Sequence, residues 1–403
     1  MDMRRNTQGN GNDQIPVQEN HTVNELRSRE ASDPARVLMF SQRNVYKPEA
    51  WRCTFHEFER IVQQIDSVDV LAPSPGRFFR MRRNNAQRIG KVLPLVVNPG
   101  LPKMRLDRDY DLFLAVCEKP SELLNIDVLR GWKERCRTSV CWLPEMWIKD
   151  MPHLRASLKV VSKFDHVFLN VARTVEPLSK AIGKRCLFLP AGIDSSLFSP
   201  YPDPPARFID VLSIGRRSEK THAVLLQMAR RKKIFYHYDT MKDLHVYDLE
   251  QHRLLMANLA KRSRYFIVNP GKIDTPHEIE GQIEFGYRYF EGAAAGAILV
   301  GDHPDSQEFR QYFPWRDAVI RLPFDSDRIS EVLEELEMQP ERQASIRRAN
   351  IVQTVLNHDW ANRWETILAT VGLGPLPALL ERKASLKELS ARIGQEGRDG
   401  SGE

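Results

Sequence analysis

Ile283-Glu284-Phe285-Gly286-Tyr287-Arg288-Tyr289-Phe290-Glu291-Gly292-Ala293-Ala294-Ala295-Gly296-Ala297-Ile298-Leu299-Val300-Gly301 is the stretch on which the reading of this chain turns. Phe285-Gly286 predicts a tight turn from which a helix begins. The first backbone N–H groups of a helix lack partners within it and carry partial positive charge, so such a start suits a phosphate or another anion. Glu291 falls one and a half turns in, on the side of the helix. Ala293, Ala294, Ala295 and Gly296 are small enough to let the helix lie close to a sheet or a flat ligand, and Ala297–Val300 reads as a buried parallel strand. The pattern alone is met equally well by a small-residue helix packed on a strand, with Glu291 as a surface carboxylate.

The same alternation runs outward in both directions. Upstream, the expected strands are 37–40, 68–71, 93–97, 112–116, 140–143 and 167–170. They are short, β-branched or aromatic, and bounded by polar, Pro or Gly residues. Between the first two, Phe55, Phe58, Ile61, Val62 and Ile65 fall on one helical face. Tyr201-Pro202-Asp203-Pro204-Pro205 is a stiff linker that neither helix nor sheet tolerates. Beyond it the expected strands are 209–214, 235–238, 265–269, 297–301 and 318–322, with helices at 222–231, 249–263, 286–295 and 328–337. Strand, helix, strand in repetition means mainly parallel sheets covered by helices. The expected organisation is a disordered polar arm (1–34), a first α/β domain (35–200), a second (201–356), an amphipathic helix (357–373) and a tail (374–403). Two such domains offer a cleft at the carboxyl ends of their strands as the place for a ligand.

The chain has 403 residues, too many for one ordinary core. Its apolar fraction of 42% and charged fraction of 28% fit a globular protein rather than a disordered one. No run of about 18 apolar residues is present, and the first fourteen residues hold no apolar segment of the secretory kind. The five cysteines, Cys53, Cys117, Cys136, Cys141 and Cys186, form no CxxC pair and read as reduced thiols. These features give a cytoplasmic protein. The net charge of +6 favours anionic partners without choosing among them.

Phe285-Gly286, Arg288-Tyr289-Phe290-Glu291 and the small residues to Gly296 resemble the nucleotide-sugar motif of retaining GT-B glycosyltransferases. The likeness is to the family 4 or "group 1" class, and within it to the spore-maturation-type branch. Three further segments are similar to the same family and follow in its order. They are Gly215-Arg216-Arg217-Ser218-Glu219-Lys220, Leu189-Pro190-Ala191-Gly192-Ile193-Asp194, and His358-Asp359-Trp360-Ala361-Asn362-Arg363-Trp364. The resemblance implies two Rossmann-like domains facing across a cleft, a C-terminal crossover helix (357–373) returning to the first, and a nucleoside-diphosphate sugar as co-substrate, with no separate cofactor. It gives Glu291 the ribose hydroxyls and Arg216 and Lys220 the diphosphate. Gly215, Arg217, Phe285, Gly286, Tyr287 and Arg288 come out as donor-binding neighbours. The upstream glutamate of the motif falls on Ile283, one place from Glu284, which is carried as a catalytic candidate. The family's cations stand in for a metal, so no metal is expected, and the acids at Asp69 and Asp107–Asp111 are not read as a metal site.

In such enzymes the first domain binds the acceptor, which would be a glycan, a lipid-linked molecule or a small molecule. Arg43, after the first strand, and Glu145, after Cys141-Trp142-Leu143-Pro144, are the acceptor-side candidates. The run from Arg77 to Lys91 contains no acid and interleaves aromatics with cations, which suits an anionic membrane surface and a peripheral position on the inner membrane face. Nucleic acid is the disfavoured partner. Two rival readings are a nucleic-acid or polyanion-binding protein on an α/β scaffold, and a GT-B-shaped nucleotide-sugar epimerase.

Overall fold

The computed structural model describes residues 34–241 and 244–399; the expected arm at 1–33 and the last four residues of the tail lie outside them. Two parallel sheets organise the chain. The first holds β1 (Val37–Phe40), β2 (Val68–Leu71), β3 (Tyr110–Val116), β4 (Cys136–Leu143), β5 (His166–Leu169) and β6 (Cys186–Phe188), in the order β2-β1-β3-β4-β5-β6. The second holds β7 (Ile209–Ser213), β8 (Tyr236–Tyr238), β9 (Ser263–Val268), β10 (Ile298–Gly301) and β11 (Ile320–Arg321), in the order β8-β7-β9-β10-β11. The central strands are buried along nearly their whole length, and both faces are apolar, as in Val37-Leu38-Met39-Phe40 and Ile298-Leu299-Val300. That pattern belongs to parallel sheets covered on both sides by helices. In each sheet the strand order reverses beside the first strand. The chain therefore leaves β1 and β3, and likewise β7 and β9, on opposite sides of a crevice at their carboxyl ends.

The expected helices form with bounds shifted by a few residues. α1 (Cys53–Ile65) buries Phe55, Phe58, Ile61, Val62 and Ile65. α2 (Phe79–Val92) follows β2. α3 (Glu219–Arg230) starts earlier than expected because the Ser218 side chain accepts from Thr221 N and caps it. α4 (Leu249–Lys261), α5 (Tyr287–Ala294), α6 (Pro340–Asn357), α7 (Trp360–Thr370) and α8 (Pro377–Asp399) complete the frame used below. One expectation fails. Residues 93–97 form no strand and, Val96 apart, stand exposed, because α2 runs on to Val92 and Pro94 removes a donor a central strand would need. The place is filled by β6, whose three residues are too short to show a pattern.

α7 returns to the first sheet. Trp360 and Trp364 are fully buried, with the Trp360 ring 5.2 Å from Phe58 and 6.0 Å from Trp142. Their indole N–H groups donate to Glu57 and Asp66, each at 2.8 Å. Gly192 is required at the contact: a Cβ there would stand 2.7 Å from the Trp360 ring. All five cysteines are buried and unpaired.

Candidate active site

The two crevices face one region. From the first sheet come Ser41-Gln42-Arg43, after β1, then Glu118, after β3, and Glu145, after β4. From the second come Gly215–Lys220, after β7, Asn269–Asp274, after β9, and the start of α5. Both rims are bridged. On one, Ala50 N donates to Leu244 O at 2.8 Å and Val246 N to Pro48 O at 3.1 Å. On the other, Ile148 N donates to the Gln282 side chain at 3.2 Å and Arg173 Nη1 to Gly281 O at 2.9 Å.

Glu291 is not a surface carboxylate. It is fully buried, with one oxygen on Arg253 Nη1 and the other 2.6 Å from Arg288 Nη1. Arg253, from α4, also donates through Nε to Glu57 of α1 at 2.8 Å. Glu57 further accepts from Asp194 N at 2.9 Å and from Trp360. Two buried carboxylates and two guanidinium groups thus form one balanced network joining both halves of the molecule. Burial alone would push the Glu291 carboxyl up, but Arg288 and Arg253 outweigh it and hold the group below its usual range. Burial likewise lowers His252, one residue from Arg253.

The Gly215 loop adjoins this network. A Cβ on Gly215 would stand 4.0 Å from Arg288 Nε, and the loop needs Gly at a φ of +93°. Gly215 N donates to Asp239 at 2.5 Å. Arg216 is ion-paired with Asp274 across the crevice, and its carbonyl accepts from Asn269 Nδ2 at 3.4 Å. Arg217 turns the other way, donating to Asp239 O at 2.8 Å and lying over Tyr238. Lys220, in the first turn of α3, is exposed and has no ion pair among the described residues. Under the loop, at the carboxyl ends of the second sheet, a shallow depression is lined by Arg217, His222, Tyr236, Asn269 and Phe324 among others.

The remaining candidates divide. Gly286 sits at the start of α5 with open space where a Cβ would go, and no side chain caps the helix there. Tyr287 has its hydroxyl pushed up by burial and, less, by Glu291 and Glu145, against the pull of Arg288, and Glu145 is exposed after β4. Arg43 is exposed beside His56 and Glu59. Phe285 is buried in an aromatic cluster with Phe188, Phe309 and Phe313. Glu284 is engaged elsewhere: its oxygens accept from Ala172 N at 3.0 Å and Arg173 N at 2.9 Å, and it joins the rim of the first sheet. Asp107–Asp111 contains Asp-x-Asp spacing but lies at the amino end of β3, opposite the crevice, with Asp109 paired to Arg135. Arg253, Glu57, Asp239 and Asp274 were not singled out in the sequence. They are ordinary charges on α1, α4 and two loops, and only the fold brings them to the site.

Residues 235–369, from the edge of β8 into α7, match the family model described as "Glycosyl transferase-like". Among solved structures, the chain is similar to HepE from Anabaena in complex with UDP-glucose, at 13% identity over 84% of this chain and 100% of that one, with a TM-score of 0.51. It is also similar to the sucrose-phosphate synthase from Thermosynechococcus elongatus, at 9% identity over 83% and 98%, with a TM-score of 0.47. A third is an alpha-glucosyltransferase in complex with UDP-glucose and DNA containing an abasic site, at 10% identity over 84% and 99%, with a TM-score of 0.49. No curated protein matches the chain. The likeness to HepE is one of fold, the two facing Rossmann-like domains of GT-B architecture, and the glycosyl transferase-like match is confined to residues 235–369. No helix among the described residues is long and apolar enough to cross a membrane.

Proposed function

We propose that this chain moves a sugar from a nucleoside-diphosphate sugar to a hydroxyl acceptor, with retention of anomeric configuration and without a metal ion. The observation that carries the reading is the approach of Arg288, on the first turn of α5, to the Gly215 loop, which bears Arg216 and leads to Lys220. Three cations, from the Gly215 loop, the first turn of α3 and α5, then border one crevice at the point where the strand order of the second sheet reverses. As the sugar–phosphate bond breaks, negative charge grows on the leaving diphosphate, and fixed cations beside it stabilise that charge without reorganising. The uncapped first amides of α5 add donors for phosphate oxygens. Residues 35–200 and 201–356 act as acceptor and donor domains, with Arg43 and Glu145 on the acceptor side.

The resemblance gives Glu291 the ribose hydroxyls. The enclosed carboxylate supports a different role: it fixes Arg288 toward the diphosphate, and it meets a ribose only if Arg288 withdraws. Glu284 acts as a tie between the halves. The UDP-glucose in the HepE structure names the first donor to try.

The test is turnover of UDP-, GDP- and ADP-sugars, with and without chelator, the product anomer being read by proton NMR. Expected is consumption of at least one donor, unaffected by chelator and with the anomer retained. Arg216→Ala should lower kcat about 100-fold. Absence of any donor turnover or binding, an inverted product, or loss of activity in chelator overturns it.

A further inference from the structure

Residues 76–106 hold eight Lys and Arg residues and no Asp or Glu. None of the eight makes an ion pair among the described residues, whereas Arg108, just beyond them, is paired with Asp69. The segment is also where large apolar side chains stand in water. Phe78 is 57% exposed, Met81 59%, Val92 67%, Leu93 48% and Leu95 52%.

Helical geometry puts both kinds of residue on one face. α2 buries Phe79, Ala86 and Gly90, spaced i, i+7, i+11. At Gly90 it lies so close to its neighbour that a Cβ would stand 2.9 Å from Ala156 Cβ. Met81, Arg88 and Val92 have the same spacing displaced by two residues, which is about half a turn, so they point outward. Leu93 and Leu95 continue the strip where Pro94 stops the helix.

We propose that the outer face of α2 and the segment after it dock the protein on the surface of an anionic lipid bilayer. Charge complementarity selects an anionic partner. The aliphatic residues select lipid over nucleic acid: of the five exposed side chains only Phe78 offers a ring on which a base could stack, while Met81, Val92, Leu93 and Leu95 suit insertion at the headgroup–acyl boundary as the cations meet headgroups. The inner side of α2 packs through Phe79 on Tyr46, at 6.1 Å, beside the Arg43 loop. A docked membrane therefore lies next to the first-sheet crevice. The inference stands apart from the transferase reading.

Co-sedimentation of the full chain with vesicles tests it, using phosphatidylcholine alone and phosphatidylcholine with roughly one-third phosphatidylglycerol. Expected is partition onto the mixed vesicles at least about tenfold above the neutral ones. Arg80→Glu with Arg88→Glu and Lys91→Glu should lower it about 100-fold, since each surface cation contributes roughly fivefold. Met81→Ser with Val92→Ser and Leu95→Ser should lower it at least about tenfold, leaving a remainder that salt removes. Arg230→Glu with Arg231→Glu, on the second half, should change nothing, and unchanged unfolding midpoints separate these effects from misfolding. Equal binding to both vesicles, no vesicle binding, or indifference to the α2 reversals overturns the proposal. Tighter binding of an oligonucleotide than of mixed vesicles, unaffected by the apolar changes, assigns the face to nucleic acid instead.

Discussion

Glu291 keeps its charge out of water because Arg253 and Arg288 each hold one of its oxygens, and Arg253 does the same for Glu57. Removing the shared cation leaves two buried carboxylates short of a partner. Arg253→Met should cost about 3–5 kcal/mol in urea unfolding, with part of the loss restored by adding Glu57→Gln. Glu59 behaves in the opposite way. Burial pushes its carboxyl up to about 7, against the pull of the Ser41 hydroxyl, 2.6 Å away, and of Arg43. The unfolded group releases its proton near pH 4.5 while the folded one keeps it, so the stability it contributes is full below that pH and is lost as pH rises toward 7. Glu59→Gln stays neutral. Its stability relative to the parent should rise by about 3 kcal/mol between those two pH values, as read by denaturant unfolding. At this scale Glu291 and the cations of the Gly215 loop were legible only through the resemblance, whose motifs are local in sequence. It could not show Arg253, whose partners Glu57 and Glu291 lie 196 and 38 residues away.

Secondary-structure elements were legible where one residue type has one physical use. The run Ala293-Ala294-Ala295-Gly296 announced close packing, and Gly292, just before it, shows how close. A Cβ on Gly292 would stand 2.4 Å from Leu299 Cδ2 and 2.5 Å from Phe266 Cδ1. Gly292→Ala should therefore destabilise by about 1–3 kcal/mol, despite the better helix propensity of Ala, and a thermal melt checks it. The misread segment is equally physical. Leu93–Val97 is as apolar as a strand, but Pro94 and the end of α2 keep it out of the sheet, and all but Val96 lie on the surface. Periodicity reports that a side chain is apolar and says nothing of whether sheet or solvent lies against it.

The halves of the molecule are tied by long-range polar contacts as well as by the return of α7. Arg382, on α8, donates to Asp359 at 2.8 Å and to Asp194 at 2.9 Å. It thereby joins the last helix, the crossover and the segment between the sheets. Arg382→Met leaves buried Asp359 with its backbone partners alone and should cost about 3–5 kcal/mol, measured by urea unfolding at neutral pH. The parallel sheets were foreseeable from the alternation of elements, whereas the return of α7 to the first sheet was suggested only by the resemblance of His358–Trp364. The closure of both rims was not, because it depends on loop contacts such as Glu284 with Ala172 and Arg173. The account rests on the Gly215 loop and α5 gripping one pyrophosphate. Calorimetric titration of UDP, GDP and ADP into the parent, Arg216→Ala and Arg288→Ala tests this most directly. At least one diphosphate should bind the parent, and each variant should weaken it at least about tenfold, or 1.4 kcal/mol. Failure of all three nucleotides to bind, or equal affinity in parent and variants, would contradict it.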